Sequence, residues 1–125
     1  MDLPEAKGTY VLIARIPRMK RLEIGRLGIY DIIPGYYAYV GSAFGPGGLR
    51  ARIEHHLESA AEPHWHIDYL SVNAEMIGAI TIPGQRKHEC EIAKELGKMF
   101  ELAVPGFGAS DCRCAGHLFY AQQLP

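Results

Sequence analysis

The sequence predicts an α+β fold, with a small central antiparallel or mixed β-sheet flanked by helices. Segments rich in β-branched and aromatic residues fill much of the first 42 residues, whereas the later segments mix helical periodicity with short strands. The chain of 125 residues contains no internal repeat and no linker-like stretch. This length suffices for one hydrophobic core but not for two, so we predict a single domain over residues 1–125.

Three strands are predicted in the first third of the chain. Gly25 and Gly28 interrupt the second strand, and Pro34 and Gly35 break the chain before the third. The predicted elements are, in order, a strand at Thr9–Ile16, a turn at Pro17–Arg21, a strand at Leu22–Ile33 and a strand at Tyr36–Ser42.

Helices and shorter strands alternate in the rest of the chain. The glycine-rich loop Gly45–Gly48 leads into the first helix, Pro63 suits the first turn of the second, and Pro83 ends a strand. The predicted elements are a helix from about Leu49 to Ala60, a short helix at Pro63–Val72, a strand at Ala74–Ile82, a helix from about Lys87 to Leu102, an irregular loop at Val104–Gly116 and a final strand at His117–Gln122.

The composition excludes several classes of protein. No apolar run approaches the roughly 18 residues that span a membrane, and Met1–Glu5 lacks the features of a signal peptide. We therefore expect a cytoplasmic protein with no membrane partner. The three cysteines, Cys90, Cys112 and Cys114, cannot all pair with one another, which favours a reducing compartment and buried or chemically used thiols.

The net charge is only −1, but basic residues are concentrated locally. Between residues 15 and 26 the only acidic residue is Glu23, and the basic residues are Arg15, Arg18, Lys20, Arg21 and Arg26. A basic stripe on a nearly neutral protein can bind phosphates, so Arg15, Arg18 and Arg21 are candidate nucleic-acid contacts. The alternative is a solvated hairpin with ordinary surface charge.

Two tyrosines and an arginine can converge at one place if the first and third predicted strands are neighbours in the sheet. Tyr10 lies on one face of the first strand, and Tyr39 and Gly41 share a face of the third because side chains alternate along a strand. Arg52 and His56 lie together at one edge of the buried stripe of the first helix. A guanidinium binds phosphate oxygens and a phenol exchanges protons, so these groups suit chemistry at a phosphate.

Glu89 is the acidic residue that the helical pattern places inward. It projects into the middle of an apolar stripe, whereas Glu91 and Glu95 fall outside it. The predicted members of the stripe are Ile92, Ala93, Leu96, Met99 and Phe100. One carboxylate, together with phosphate oxygens and waters, is a reasonable ligand set for Mg²⁺. The alternative is that Glu89 has no role in chemistry and is stabilised at the start of its helix only by the helix dipole.

These residues resemble the signature of the GIY-YIG nuclease superfamily. Gly8–Tyr10 reads Gly-Thr-Tyr where the superfamily has Gly-Ile-Tyr, and Tyr39–Gly41 reads Tyr-Val-Gly where it has Tyr-Ile-Gly. Arg52 matches the helix arginine and Glu89 the metal-binding glutamate. The literal Gly28–Tyr30 (Gly-Ile-Tyr) lies too close to Tyr39 to be the first motif.

One branch of the superfamily resembles the chain over nearly its whole length. This branch is an uncharacterised domain of unknown function that is sometimes fused to archaeal endonuclease III. The similar segments are Gly8–Tyr10, Pro34–Ala43, Gly48–His56, His64–Leu70, Glu89–Ala93 and Gly106–Tyr120.

The resemblance implies a GIY-YIG-like fold and a metal-dependent endonuclease that hydrolyses phosphodiesters, in DNA rather than RNA and in DNA repair. It implies that Tyr10 orients or deprotonates the attacking water, that Arg52 holds the scissile phosphate, and that Glu89 binds Mg²⁺ or Mn²⁺. Tyr39 and His56 would support the water and the phosphate. The other candidate nucleic-acid contacts are Gly41, Ser42, Arg50, His64, His66, Asp68, Ser110, Asp111 and His117.

Three alternative functions remain open from the sequence. In the first, the chain is a non-catalytic module that binds nucleic acid and recruits a DNA-repair enzyme as its partner. In the second, the chain contains a zinc site whose ligands are of the types that zinc favours. Those ligands are Cys112, Cys114 and His117 with His64 or His66. In the third, Cys112 or Cys90 is the nucleophile of a thiol enzyme.

Overall fold

A computed structural model describes residues 3–57, 66–71, 74–108 and 115–123 of the chain. Within these ranges strands and short helices alternate, and the strands account for more of the chain than the helices. The elements are β1 (Gly8–Ile16), β2 (Lys20–Glu23), a 3₁₀ turn (Gly25–Leu27), β3 (Ile29–Ile32), β4 (Gly35–Ala43), α1 (Gly48–Leu57), α2 (His66–Ser71), β5 (Glu75–Pro83), α3 (Glu89–Leu96), β6 (Glu101–Leu102) and β7 (Leu118–Ala121).

Five strands form one antiparallel sheet in the order β5-β1-β4-β7-β6. The predicted α+β fold with a small central sheet is therefore confirmed. The two longest neighbours, β1 and β4, pair along their full length, with Tyr10 opposite Gly41 and Leu12 opposite Tyr39. The strands β2 and β3 form a separate two-stranded sheet.

The alternation of side chains along each strand gives the sheet two apolar faces. We call the face that carries Tyr10 the tyrosine face, and its buried residues pack with α1 and α2. The opposite face packs against α3 through Val11, Val40 and Phe119. The core residues of the tyrosine face include Tyr10, Leu12, Tyr37, Tyr39, Leu49, Ile53, Ile67, Leu70, Val104 and Phe107.

The start of α1 is fixed by the chain that precedes β1. The backbone amides of Leu49 and Arg50 donate to the carbonyl oxygens of Ala6 and Pro4, at 2.9 and 2.8 Å. Gly48 has a φ of +59°, and a Cβ there would collide with the carbonyl oxygens of residues 5 and 6. This close approach sets the position of α1 and of the side chains it carries toward the sheet.

The predicted second strand is instead two short strands and a 3₁₀ turn. Gly25 and Gly28 have φ values of +48° and +107°, which reverse the chain and end the extended conformation. The two strands then pair with each other rather than with the main sheet. The predicted first and second helices are described only to Leu57 and from His66 to Ser71, and the rest of each prediction lies outside the described residues.

The predicted third helix is too long. It ends at Leu96, because Gly97 is a poor helix former and the chain turns after it. The side chain of Met99 is 67% exposed, so its placement in the apolar stripe was wrong. Glu101 and Leu102, which the helix was predicted to include, form β6 and pair with β7, because tertiary pairing overrides the helical pattern.

Among the described residues, no helix is both long and apolar enough to cross a membrane. Cys90 is disulfide-bonded, so it is no nucleophile in this state, and the alternative of a thiol enzyme is wrong for this residue.

Candidate active site

The buried part of the candidate site includes the pair formed by Tyr10 and Gly41 at opposite positions of β1 and β4. Tyr10 is fully buried, and its ring and hydroxyl lie in the space that a side chain at position 41 would occupy. Gly41 therefore belongs to the site because it leaves room for the phenol. Its predicted contact with nucleic acid is untested.

Substitution of Gly41 by alanine is expected to destabilise the protein. The new Cβ would overlap the buried Tyr10 ring, and overpacking of this kind costs about 1–3 kcal/mol of unfolding free energy. We expect the melting temperature to fall by about 5–10 °C, measured by circular dichroism. Gly78→Ala is the matched control, because Gly78 is also a strand glycine but its Cβ would meet no atom within 4 Å. Equal melting temperatures for the two variants would show that Tyr10 does not need this space.

The hydroxyl of Tyr10 is hydrogen-bonded to Nε2 of His56 at 2.7 Å, and both side chains are buried. Burial, and then the nearby Tyr39, raise the pKa of Tyr10 well above that of a free phenol, while the hydrogen bond and charge of Arg52 oppose the rise. The phenol is therefore protonated at neutral pH, and its hydrogen bond joins it to Nε2 of the His56 ring.

Aromatic packing holds this pair in place. The Tyr39 ring centroid lies 6.2 Å from the centroids of both Tyr10 and His56, and 5.8 Å from that of Phe107. Two of these contacts are edge-to-face, which is a favoured arrangement for aromatic rings. Tyr39 thus lies beside Tyr10 as predicted, and it separates the Tyr10–His56 pair from the loop that carries Phe107.

Arg52 reaches the same place from α1. Its Nη1 donates to the carbonyl oxygen of Ser42 at 2.9 Å, and its hydrogen bond and charge act on Tyr10. The side chain is half-buried, so it also faces solvent. The prediction that a guanidinium and two phenols converge is therefore confirmed for Tyr10, Tyr39 and Arg52.

Glu89 approaches from the opposite face of the sheet as the first residue of α3. Its Oε1 accepts a hydrogen bond from Ser42 Oγ at 2.7 Å, and its Oε2 lies 2.9 Å from Nδ1 of the fully buried His117. Both oxygens of the Glu89 carboxylate are therefore in contact with neighbouring side chains.

The contacts of Glu89 keep it ionised. Burial alone would raise the pKa of the Glu89 carboxyl, but the contacts from His117 and Ser42 and the charge of Lys87 outweigh burial and lower the pKa. The side chain is 23% exposed, so the carboxylate is open to the cleft. Ser42 and His117 both contact Glu89, and their predicted contacts with nucleic acid are untested.

Of the predicted site residues described so far, four border a cleft of about 480 Å³, namely Tyr39, Ser42, Arg52 and Glu89. Its lining residues are Tyr39, Ser42, Phe44, Gly45, Arg52, Lys87, Glu89, Cys90, Glu91 and Gly108. Lys87 and Phe44 are members that the sequence analysis missed. Lys87 had a detectable signal, since it is a cation two residues before the inward-facing Glu89. Tyr30, from the literal Gly-Ile-Tyr motif, lies on β3 of the separate hairpin.

Two carboxylates line the described part of the cleft, and Glu91 is exposed and paired with Arg86 at 2.6 Å, so Glu89 is the candidate metal ligand. No group of three or more histidine, cysteine, aspartate or glutamate side chains suited to a metal occurs among the described residues. Glu89 fits a Mg²⁺ or Mn²⁺ ion that keeps most of its water, because such ions need only one or two protein carboxylates. The set of ligands predicted for zinc lies partly outside the described residues, at His64, Cys112 and Cys114.

His66 has a structural contact. Its Nδ1 accepts a hydrogen bond from the backbone amide of Gly108 at 2.8 Å, and its ring lies 5.7 Å from that of Phe107. Burial lowers the pKa of His66, so the neutral ring that this acceptor requires is favoured. His66 thereby ties α2 to the loop beside Tyr39. The other predicted contacts of this cluster, namely His64, Ser110, Asp111 and the Asp68 side chain, lie outside the described residues.

The predicted basic contacts do not lie in the cleft. Arg15 pairs with Glu75 at 3.1 Å and Arg21 with Asp31 at 2.9 Å, both on exposed surfaces. Arg15 is five residues along β1 from Tyr10, or about 17 Å at the usual rise of a strand. Arg18 is exposed in the turn after β1. These residues lie on a surface separate from the cleft, where any contact with nucleic acid would be remote from Glu89.

Arg50 anchors the start of the chain. Its Nε donates to the carbonyl oxygen of Leu3 at 3.0 Å, and its Nη1 pairs with Glu5 at 2.8 Å. The predicted role of Arg50 in binding nucleic acid is untested, and its observed role is to hold the segment that fixes α1.

A second concavity, of about 340 Å³, lies between α3 and the opposite face of the sheet. Its lining includes Val11, Ile80, Leu96 and Phe119, and it exposes only apolar surface. An apolar surface has no group that can activate water or hold a phosphate, so the cleft beside Glu89 is the candidate active site.

Comparison with known proteins gives one informative result. No curated protein and no solved structure matches the chain at a significant level. The model of the family described as "Domain of unknown function DUF123" matches residues 9–125, which include Tyr10, Arg52, Glu89 and His117. The chain therefore belongs to the DUF123 family.

Proposed function

We propose that this protein is a metal-dependent nuclease of the GIY-YIG type, which hydrolyses phosphodiester bonds within nucleic acid. The observation that carries the proposal is that Arg52 and Glu89 line one cleft from two different helices, and that the charges of both act on the phenol of Tyr10, which is buried in the adjoining sheet. A proton-transferring phenol, a phosphate-binding guanidinium and an ionised carboxylate are the three kinds of group that such hydrolysis requires.

The hydrogen bond between Tyr10 and His56 supports a role in activating water. Tyr10 passes its proton to Nε2 of His56 over the 2.7 Å hydrogen bond, and the resulting phenolate accepts a proton from the attacking water. The hydroxide then attacks phosphorus. The high pKa of Tyr10 means that the phenol needs such an acceptor, because it does not ionise by itself at neutral pH.

Arg52 supports binding of the scissile phosphate. Its position beside Tyr10 places the guanidinium next to the atom that activates water. The guanidinium donates to phosphate oxygens and stabilises the charge that develops on them during attack. The hydrogen bond from Arg52 to the Ser42 carbonyl orients the guanidinium before substrate arrives.

Glu89 supports binding of one divalent cation. Its two oxygens are held by Ser42 and His117, and each oxygen of an ionised carboxylate has a further lone pair for a metal. A Mg²⁺ or Mn²⁺ ion bound at Glu89 would stabilise the negative charge on the leaving oxygen. The two hydrogen-bonding residues act as positioning residues for the carboxylate.

The proposal predicts that removal of divalent ions abolishes cleavage. End-labelled duplex, nicked, flapped and abasic DNA, together with structured RNA, would be incubated with the wild-type protein in Mg²⁺, in Mn²⁺ or in EDTA. We expect internal cuts with either metal, at rates at least about 1,000-fold above those in EDTA, because a metal supplies several kcal/mol of charge stabilisation. Restoration of cleavage by adding Mg²⁺ back would exclude irreversible damage by EDTA.

The same measurement tests the alternative of a non-catalytic nucleic-acid-binding module. Binding without cleavage on every substrate would contradict the nuclease and favour that alternative. We propose DNA as the substrate and DNA repair as the setting, with a repair enzyme as a partner. Faster cleavage of structured RNA than of any DNA would contradict this part of the proposal.

A further inference from the structure

An aromatic ring and a cation face each other within the cleft, outside the groups assigned to the reaction. The Nζ of Lys87 lies 5.7 Å from the centroid of the Phe44 ring, within the range of a cation–π contact. Phe44 directly follows β4, and Lys87 is two residues before Glu89. Both line the cleft together with Arg52, so a substrate bound at Arg52 lies within their neighbourhood.

Arg52 borders a second recess on its other side. This recess has a volume of about 310 Å³ and is lined by Pro46, Ala51, Arg52 and His55, among others. A nucleic-acid strand whose phosphate is bound by Arg52 therefore lies between two recesses, both of which Arg52 borders. A volume of about 300–500 Å³ encloses a molecule of the size of one nucleotide residue.

The position of Arg52 restricts where a phosphate binds. Tyr10 and His56 are 0% and 2% exposed and do not line the cleft, whereas the half-buried Arg52 does, together with Phe44 and the exposed Lys87. A phosphate bound at Arg52 therefore lies in the cleft that Phe44 and Lys87 also line. The flat face of an aromatic ring binds the flat face of a base, and a base presents its face only where it is not stacked within a duplex.

We propose that the site takes a single, locally unpaired strand, with a base stacked on Phe44 and the adjacent phosphate bound by Lys87. The proposal rests on the proposed function, since it assigns the substrate class of the same cleft. When the base stacks on the Phe44 ring, it displaces the Lys87 ammonium group, which moves from the ring to the adjacent phosphate. Arg52 holds the next phosphate, and the following nucleotide lies in the recess beside His55.

Binding in EDTA tests the proposal without hydrolysis. Fluorescence anisotropy at fixed, low salt would be measured with labelled 12-residue thymidine and uridine strands and a 12-base-pair DNA duplex. We expect at least one of the single strands to bind about tenfold more tightly than the duplex, and the two single strands to reveal which sugar is preferred. Phe44→Ala and Phe44→Leu should each weaken binding of that strand about tenfold, because stacking of one base contributes on this order.

Two further variants separate stacking from folding. Phe44→Leu keeps apolar volume and removes only the aromatic face, whereas Phe44→Trp keeps the face. We expect Phe44→Trp to bind the single strand as tightly as the wild type, with fluorescence of the added indole quenched on binding. The proposal is overturned if the duplex binds as tightly as both single strands, or if Phe44→Leu binds like the wild type.

This test is independent of the nuclease proposal. Selective, Phe44-dependent binding of a single strand by a protein that never cleaves would support the inference while contradicting the proposed function. Cleavage of a continuous duplex at a rate unchanged by Phe44→Leu would support the proposed function while overturning the inference.

Discussion

Glu89→Gln is expected to lower the rate of nucleic-acid cleavage by about 1,000-fold or more in saturating Mg²⁺. Glutamine preserves the shape of the side chain and can still accept the hydrogen bond from Ser42 Oγ. It removes the negative charge, which is the property that a divalent cation requires and that supplies several kcal/mol of stabilisation in the transition state. The measurement is the single-turnover rate on the best substrate of the panel.

Glu95→Gln is the matched control, because it makes the same change on the same helix. Glu95 is exposed and pairs with Lys98 at 3.1 Å, away from the cleft. Its substitution should change the rate by less than about twofold, because exposed ion pairs contribute little. If Glu89→Gln cleaved as fast as Glu95→Gln, the carboxylate would not be the metal ligand and the proposed mechanism would be wrong.

Binding measurements separate loss of chemistry from loss of substrate. A protein that lacks the metal but keeps Arg52 and Lys87 retains its phosphate contacts, so the affinity for nucleic acid in EDTA should be nearly unchanged. A large loss of affinity in Glu89→Gln, with a parallel loss of thermal stability, would instead indicate that the Ser42–Glu89–His117 contacts hold the cleft together.

Much of the site follows from local sequence rules. The alternation of a strand fixes which face Tyr10 and Tyr39 occupy, and the turn of a helix fixes the side of α1 from which Arg52 projects. The two strands that carry the tyrosines are close in sequence and pair antiparallel, so adjacency is also the expected outcome. The same periodicity identifies Glu89 as the inward-facing acid of α3.

Contacts between distant segments were not predictable in the same way. His117 is 28 residues after Glu89 and meets it only because β7 pairs with β4, a choice that depends on the whole sheet. The burial of Val104 and Phe107 in a segment read as an irregular loop depends on the cavity beside Tyr39. The local sequence pattern of such a glycine-rich segment predicts an exposed loop, whereas tertiary packing buries these two side chains.

The disulfide of Cys90 illustrates a different limit. An odd number of cysteines says that at least one is unpaired, but not which one. The glutamates that flank Cys90 disfavour a thiolate there, but they carry no information about a disulfide bond. Pairing of cysteines depends on the distance between Cα atoms in the fold, which spacing in sequence does not supply.

Tyr10→Phe is expected to lower the single-turnover rate by about 1,000-fold, within the range for loss of a proton-transferring group. His56→Gln should lower it by about 100-fold, since water can replace the acceptor only poorly in a buried site. Both residues act on the same proton across one 2.7 Å hydrogen bond. The double variant should therefore be no slower than Tyr10→Phe alone, because a proton that is never transferred needs no acceptor.

Tyr37→Phe controls for the loss of a phenol hydroxyl from the same face of the sheet. The Tyr37 hydroxyl donates to the Ile33 carbonyl oxygen at 2.6 Å, and the groups that shift the pKa of Tyr37 include neither Arg52 nor Glu89, which both act on Tyr10. Its removal should leave the rate within about threefold of wild type. A merely structural role for the Tyr10–His56 pair would instead give rate losses that multiply in the double variant and that track the melting temperature. Multiplying losses with unchanged stability would show that the two residues serve separate steps, and His56 would then not accept the proton of Tyr10.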